Sequence, residues 1–221
     1  MSASRRTKVP ARRRKKVAAR SSGSAKRAGR KPAPVAALDA AARVRVEPVT
    51  KDTWADFEAL FTARGAPHYC WCGVYRFSKA QLMSAEEKRA ATRRQVEDGV
   101  PIGVLAYDGD LPIGWCSVAP RETLLKLERS RTMPRVSNAR TWTVLCFFVR
   151  RSHRGRGVAE ALLAGAIEAA RRGGAQVIEG YPHDTAGITA THRGKSRIFR
   201  ALGFGRAGTR WSLELSGAAA R

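Results

Sequence analysis

Acidic residues are scarce in this chain. It carries 18 Asp and Glu against 42 Lys and Arg, a net charge of +24. The imbalance is uneven: residues 1–34 hold 13 of the cations and no acid, and the first carboxylate is Asp39. The remainder still keeps a net +11. A cationic run of this kind attracts polyanions and releases their counterions, which implies salt-dependent, non-specific nucleic-acid contact. The same stretch has no aromatic residue, which argues against base stacking as its binding mode. Cysteine is sparse too, with only Cys70, Cys72, Cys116 and Cys146. Two of them fall inside apolar runs, so the set is no disulfide framework and fits a reducing cytoplasm, or a nucleoid if the basic segment holds DNA. Long apolar runs are missing. Nothing approaches the ~18 residues a membrane span needs, so no membrane partner is expected, and the basic N-terminus lacks the apolar core of a secretory signal.

What is present divides into two parts. Residues 1–40 are mostly Arg, Lys, Ala, Ser and Pro, with too little apolar surface to offset chain entropy, so a disordered tail is expected. A folded domain is expected over 41–221. Residues 44–49 alternate as a strand. Asp52 or Thr53 can cap a helix that places Trp54, Phe57 and Phe61 on one face. Residues 65–77 form a loop dense in aromatics and cysteines. Ser84-Ala85-Glu86-Glu87 is a capping box that starts a charged helix running to about Glu97. Residues 102–107 and 113–118, around Asp108-Gly109, read as a hairpin. A short helix is expected over 122–129.

The nearly all-apolar stretch 141–149 reads as a strand buried on both faces. The helix after it puts Val158, Leu162, Leu163, Ala166, Ile167 and Ala170 on one stripe, and Gly173-Gly174 ends it. A short strand over 176–179, a helix over 195–202 and a last strand over 209–215 complete the chain. The order is that of a mixed α/β fold with one βαβ crossover.

Between the apolar strand and its helix lies Arg154-Gly155-Arg156-Gly157-Val158-Ala159. The first amides of a helix have no intrahelical partner, and the helix dipole favours negative charge there. Such a turn binds phosphate. Gly157 lets the backbone approach a ligand closely, Ala159 leaves the first helical turn uncrowded, and Arg154 and Arg156 add charge.

The spacing Arg154-x-x-Gly157-x-Ala159 resembles the acetyl-CoA motif of the GNAT family, the Gcn5-related N-acetyltransferases. Val149, five residues before Arg154, stands where the family's strand ends. Ile198-Phe199-Arg200-Ala201-Leu202-Gly203-Phe204 is similar to the family's late helix, which usually reads Leu-Tyr-x-x-x-Gly-Phe. The order of elements agrees over residues 43–215. Cys70-Trp71-Cys72, Gly114-Trp115-Cys116 leading to Pro120-Arg121, and Glu179-Gly180-Tyr181-Pro182 look like a bacterial branch of the family.

The resemblance implies a mostly antiparallel central sheet flanked by helices, and acetyl-CoA as co-substrate. Phe147, Phe148 and Val149 would line the pantetheine arm, through the backbone of Phe147 and Val149. The amides from Arg154 through Gly155, Arg156, Gly157 and Val158 to Ala159 would hold the pyrophosphate. An amine of unknown identity would attack the thioester while a backbone N–H near the strand end stabilises the oxyanion. The family's proton-donating tyrosine falls on Phe199, which has no proton to give. Ser196 and Tyr181 are the substitutes, and Glu179 is the first choice of base, with His183 and Asp184 behind it. Tyr69, Trp71 and Tyr75 would wall the acceptor groove. His68, Cys70 and Cys72 alternate, so an extended loop would point them the same way. Yet they lack a fourth ligand and match none of the usual zinc spacings. A second functional reading keeps the same body as a non-enzymatic, nucleic-acid-associated or regulatory CoA sensor.

Overall fold

The all-apolar run Thr141–Val149 becomes the central strand of the fold. The computed structural model describes residues 44–184 and 192–215. The tail over 1–40 lies outside the described residues. Twelve elements follow one another: β1 (Arg45–Pro48), α1 (Trp54–Thr62), α2 (Ala85–Glu97), β2 (Val104–Asp108), β3 (Leu111–Pro120), α3 (Leu125–Glu128), β4 (Thr141–Val149), α4 (Val158–Arg172), β5 (Val177–Gly180), α5 (Ser196–Ala201), β6 (Gly205–Ala207) and β7 (Arg210–Glu214). The strands form one seven-stranded sheet in the order β1-β2-β3-β4-β5-β7-β6. Every pairing is antiparallel except β4 with β5. That single parallel pair is the βαβ crossover through α4, and the architecture is the mixed, mostly antiparallel α/β sheet expected.

Strand alternation sends successive side chains to opposite faces. Val104, Ala106, Ile113, Cys116, Val144 and Phe147 face the α4–α5 layer. The stripe predicted for α4 is the buried one: Val158, Leu162, Leu163, Ala166, Ile167 and Ala170. Leu105, Tyr107 and Trp115 face the other way, onto Trp54, Phe57, Leu60 and Phe61 of α1. At ~25 cal/mol per Å² of apolar surface removed from water, these two layers are the principal source of stability.

Local signals mostly translate as expected. The capping box at Ser84 is formed: the Ser84 hydroxyl accepts from Glu87 N–H at 3.1 Å, and Glu87 accepts from Ser84 N–H at 2.6 Å. Thr53 takes the N-cap position of α1, but its hydroxyl accepts from Thr50 N–H and donates to the Pro48 carbonyl instead of capping the helix amides.

Two expectations are corrected. β6 was not foreseen; Gly205, Arg206 and Ala207 are all exposed, so no burial period marks them. The loop over 65–77 is not extended but a succession of turns, with Trp71 at φ 44° and Cys72 at φ 51°. Side chains rarely tolerate that left-handed region. The turn sends Trp71 inward onto Phe61, ring centroids 5.5 Å apart, and Cys72 under Trp115, whose Nε1–H donates to its sulfur at 2.8 Å. The alternation that would set His68, Cys70 and Cys72 on one face of an extended strand is therefore absent here. Among the described residues, no three His, Cys, Asp or Glu side chains group as metal ligands, and no helix is long and apolar enough to cross a membrane.

Candidate active site

The parallel pairing of β4 and β5 is short. It runs from Thr141↔Val177 to Val144↔Gly180 and stops. β4 continues to Val149, bonded on its other side to β3, with Phe147 opposite Cys116 and Val149 opposite Gly114. Among the described residues, 145–149 therefore have no strand neighbour on the β5 side. Pro182 helps explain the break, because it has no N–H to extend the ladder. Into this opening comes the segment after residue 191: Phe147 N–H donates to the His192 carbonyl.

Beside the opening stands the start of α4. Gly155 and Gly157 have φ of 76° and 78°, and Gly157 is the N-cap. Two left-handed glycines turn the chain sharply and aim successive amides outward. Among the described residues, no backbone N–H from Gly155 to Glu160 has an acceptor; the first bond at this end is Ala161 N–H to Gly157 C=O, at 3.0 Å. Arg154 folds back, its Nε donating to the Val149 carbonyl at 3.0 Å, which ties the turn to the strand end. Phe148, on the opposite face of β4 from Phe147, packs against the α1 layer.

On the far side of the opening is a cleft of about 820 Å³. Tyr75, Tyr181, His183, Asp184, Arg193 and Ser196 are among its lining residues. Of the three aromatics expected to wall a groove, only Tyr75 lines it; Trp71 is core, and Tyr69 is 67% exposed on the surface. The cleft brings Tyr181, Ser196, His183 and Asp184 together, and leaves Glu179 beneath it.

Glu179 is 1% exposed. Its Oε1 accepts from Arg121 Nη1 and, at 3.0 Å, from the Thr143 hydroxyl; its Oε2 accepts from Arg210 Nε at 2.6 Å. Arg121, also 1% exposed, donates further to Glu128 Oε1 at 2.7 Å and to the Met133 carbonyl at 2.6 Å. The Tyr181 hydroxyl lies 3.4 Å from Arg121 Nη1. Burial, and then the Glu179 charge, push the Tyr181 hydroxyl above its ordinary pKa, so it keeps its proton at neutral pH. Ser196 gives both its donors to Asp184: the amide at 3.0 Å, and the hydroxyl. Those bonds hold the Asp184 carboxyl below the usual range. His183 N–H donates to the Gly194 carbonyl at 3.1 Å. Phe199 is fully buried, edge-on to Phe147 and Phe204.

Arg121, Arg210 and Arg193 carry much of this geometry, and sequence reasoning assigned none of them a role. Arg121 and Arg210 meet Glu179 across 58 and 31 residues, and Arg193 meets Tyr75 across 118, so no local pattern announces these contacts.

A mixed sheet that opens at its one parallel junction, with a bare helix N-terminus beside the opening, is the architecture of an acyltransferase. The model of the Acetyltransferase (GNAT) family matches residues 50–188, and the chain belongs to that family. Several solved structures are similar. One is an N-acetyltransferase from Staphylococcus aureus Mu50, at 14% identity and TM-score 0.48, covering 78% of this chain and 99% of that one. A second is a ribosomal-protein-alanine N-acetyltransferase from Brucella melitensis, at 18% and 0.47, covering 77% and 99%. A third is a phosphinothricin acetyltransferase from Sinorhizobium meliloti in complex with acetyl-CoA, at 16% and 0.48, covering 81% and 92%. No curated protein matches the chain.

Proposed function

We propose that the protein is an acetyl-CoA-dependent N-acetyltransferase that acetylates a primary amine by direct attack on the thioester. The observation that carries this reading is the run of unbonded amides from Gly155 to Glu160 beside the half of β4 that β5 leaves free. Those amides suit a pyrophosphate, with Arg154 and Arg156 adding charge. The edge of β4 that β5 leaves at Phe147 and Val149 suits an amide-bearing arm, which would add to it as a strand does on displacing the His192 carbonyl and the Arg154 side chain.

Acetyl-CoA supplies an activated acetyl group; this chain supplies position and proton traffic. Phe147 N–H, which donates to the His192 carbonyl, would stabilise the oxyanion on exchanging that carbonyl for the thioester oxygen. The amine nitrogen bonds to the carbonyl carbon, and the carbon–sulfur bond breaks. The amine proton passes to His183 or to water in the cleft. The departing thiolate takes a proton from the Tyr181 hydroxyl, or from solvent. Tyr181 suits that role better than Ser196, whose hydroxyl is committed to Asp184. Glu179 suits positioning rather than base catalysis, because guanidinium and hydroxyl donors occupy both its oxygens. It holds Arg121, which in turn sits against Tyr181.

Free-thiol release from acetyl-CoA over a panel of amines tests the reading. Calorimetric binding of acetyl-CoA with no thiol released for any amine would leave the second reading, a CoA sensor, which the core burial of Phe199 favours. The 1–40 tail is proposed to contact nucleic acid non-specifically; deleting it should flatten the salt dependence of DNA binding and leave CoA affinity intact.

A further inference from the structure

The walls of the cleft carry an unbalanced charge. Lys126, Arg129, Arg193 and Arg206 all line it. None of the four pairs with a carboxylate among the described residues. Arginines nearby in the chain behave differently: Arg121 and Arg210 are paired with Glu179, and Arg135 with Glu128. The one acid on the described wall, Asp184, is engaged by Ser196. Residues 185–191 read Thr-Ala-Gly-Ile-Thr-Ala-Thr, so they bring no carboxylate of their own.

Arg193 is the best held of the four. Its side chain is half-buried, its Nη2 donates to the Tyr75 hydroxyl, and its guanidinium carbon sits 5.7 Å from the Tyr75 ring centroid. Nε and Nη1 have no acceptor among the described residues. A guanidinium fixed by an aromatic, with donors unused and no counter-charge, is a preorganised anion receptor. Lys126, Arg129 and Arg206 are exposed, so solvent screens their mutual repulsion while their charge remains open to an anion. The Arg206 Nε, by contrast, is already given to the Gly208 carbonyl at 2.8 Å.

We infer that the acceptor is an acidic amine: its reacting nitrogen is carried on a molecule that also bears a carboxylate or phosphate group, which Arg193 and Arg129 bind. The inference rests on the acetyltransferase reading for the fate of the nitrogen, but not for the anion site. The same walls disfavour polycations such as polyamines and lysine-rich peptides.

The test is calorimetry on the full chain saturated with CoA, titrated with glutamate, phosphoserine and spermidine. Binding of glutamate or phosphoserine but not spermidine is expected, and the tighter of the two identifies carboxylate or phosphate. Arg193→Gln and, on a separate segment, Arg129→Gln should each weaken that binding about tenfold or more, the effect of losing one charge-assisted bond. Using both guards against a collapse of the loop around residue 193. Binding of spermidine alone, binding of no acidic probe, or acidic binding indifferent to both substitutions would overturn the inference. The two proposals fail separately. Acidic amines that bind without releasing thiol from acetyl-CoA would sink the acetyltransferase reading and keep the anion site. Thiol release with spermidine alone would do the reverse.

Discussion

Glu179 and Arg121, 58 residues apart in the chain, form an ion pair whose two side chains are 2% and 1% exposed. Removing Glu179 leaves Arg121 with Glu128 as its remaining carboxylate and takes the buried partner from Arg210, which costs up to about 3 kcal/mol, the low end for breaking a buried pair. Glu179→Ala should therefore lower the unfolding free energy, read from urea titration, by an amount of that order. Glu179→Gln, which keeps the shape and one acceptor, should cost less. A Gln variant of native stability whose thiol release is abolished would instead restore Glu179 as the base.

Gly157 sits at φ 78° at the head of α4. A glutamate there combines backbone strain with a negative charge set among the amides proposed to hold phosphate. Acetyl-CoA affinity in Gly157→Glu should fall roughly a hundredfold or more, as expected when several charge-assisted bonds are lost together. Calorimetry reads it directly, and near-native affinity would move the donor site elsewhere.

Arg76 has no exposure, and its Nε and Nη1 have no partner. Its Nη2 donates to the Ile102 carbonyl and to the Ser117 hydroxyl. Burial pulls its pKa down to about 10, still high enough to keep it charged at neutral pH. A buried charge without a counter-ion costs more than an apolar chain of similar length. Arg76→Met should raise unfolding stability by about 1 kcal/mol or more, measured by urea titration. A clear loss of stability would mean that the two bonds outweigh the burial.

Asp184 accepts from the first residue of α5, and its carboxyl is held below the ordinary value chiefly by the Ser196 hydroxyl. The folded state thus favours the ionised form. The contact is fully present above the unfolded carboxyl pKa of about 4 and is lost as pH falls through the lower, folded value. The protection factor of the Ser196 amide, its exchange rate taken relative to the intrinsic rate at each pH and followed by NMR from pH 7 to pH 3, should hold and then fall at the acid end. Asp184→Asn should remove the transition.

Much of the body was legible because burial writes a period into sequence. The α4 stripe, the box at Ser84 and the apolar β4 each follow from side chains that must meet water or avoid it. The glycines of the Arg154–Ala159 turn were legible because few other residues take those dihedrals. β6 was not, since three exposed residues in a short edge strand carry no period. The partners of Glu179 were not either. An ion pair needs two opposite charges near in space, and Arg121 and Arg210 look from sequence like any surface arginine. The inward turn of Trp71 and Cys72 defeated the alternation argument, because alternation presumes an extended backbone and this segment is not extended.

Among the described residues, four ladder pairs, Thr141↔Val177 to Val144↔Gly180, join one half of the sheet to the other. On one side β1 to β4 pair in chain order; on the other, β6 and β7 form a hairpin onto β5. The seam between them is the one parallel junction, and α4 carries the chain across it. Parallel pairing is slightly less stable per residue than antiparallel, which makes the seam the weaker line of the sheet. Any molecule that bridges the gap above Val144 would act as a rivet between two plates, so the occupied protein should melt as one unit where the empty one has a line along which to part.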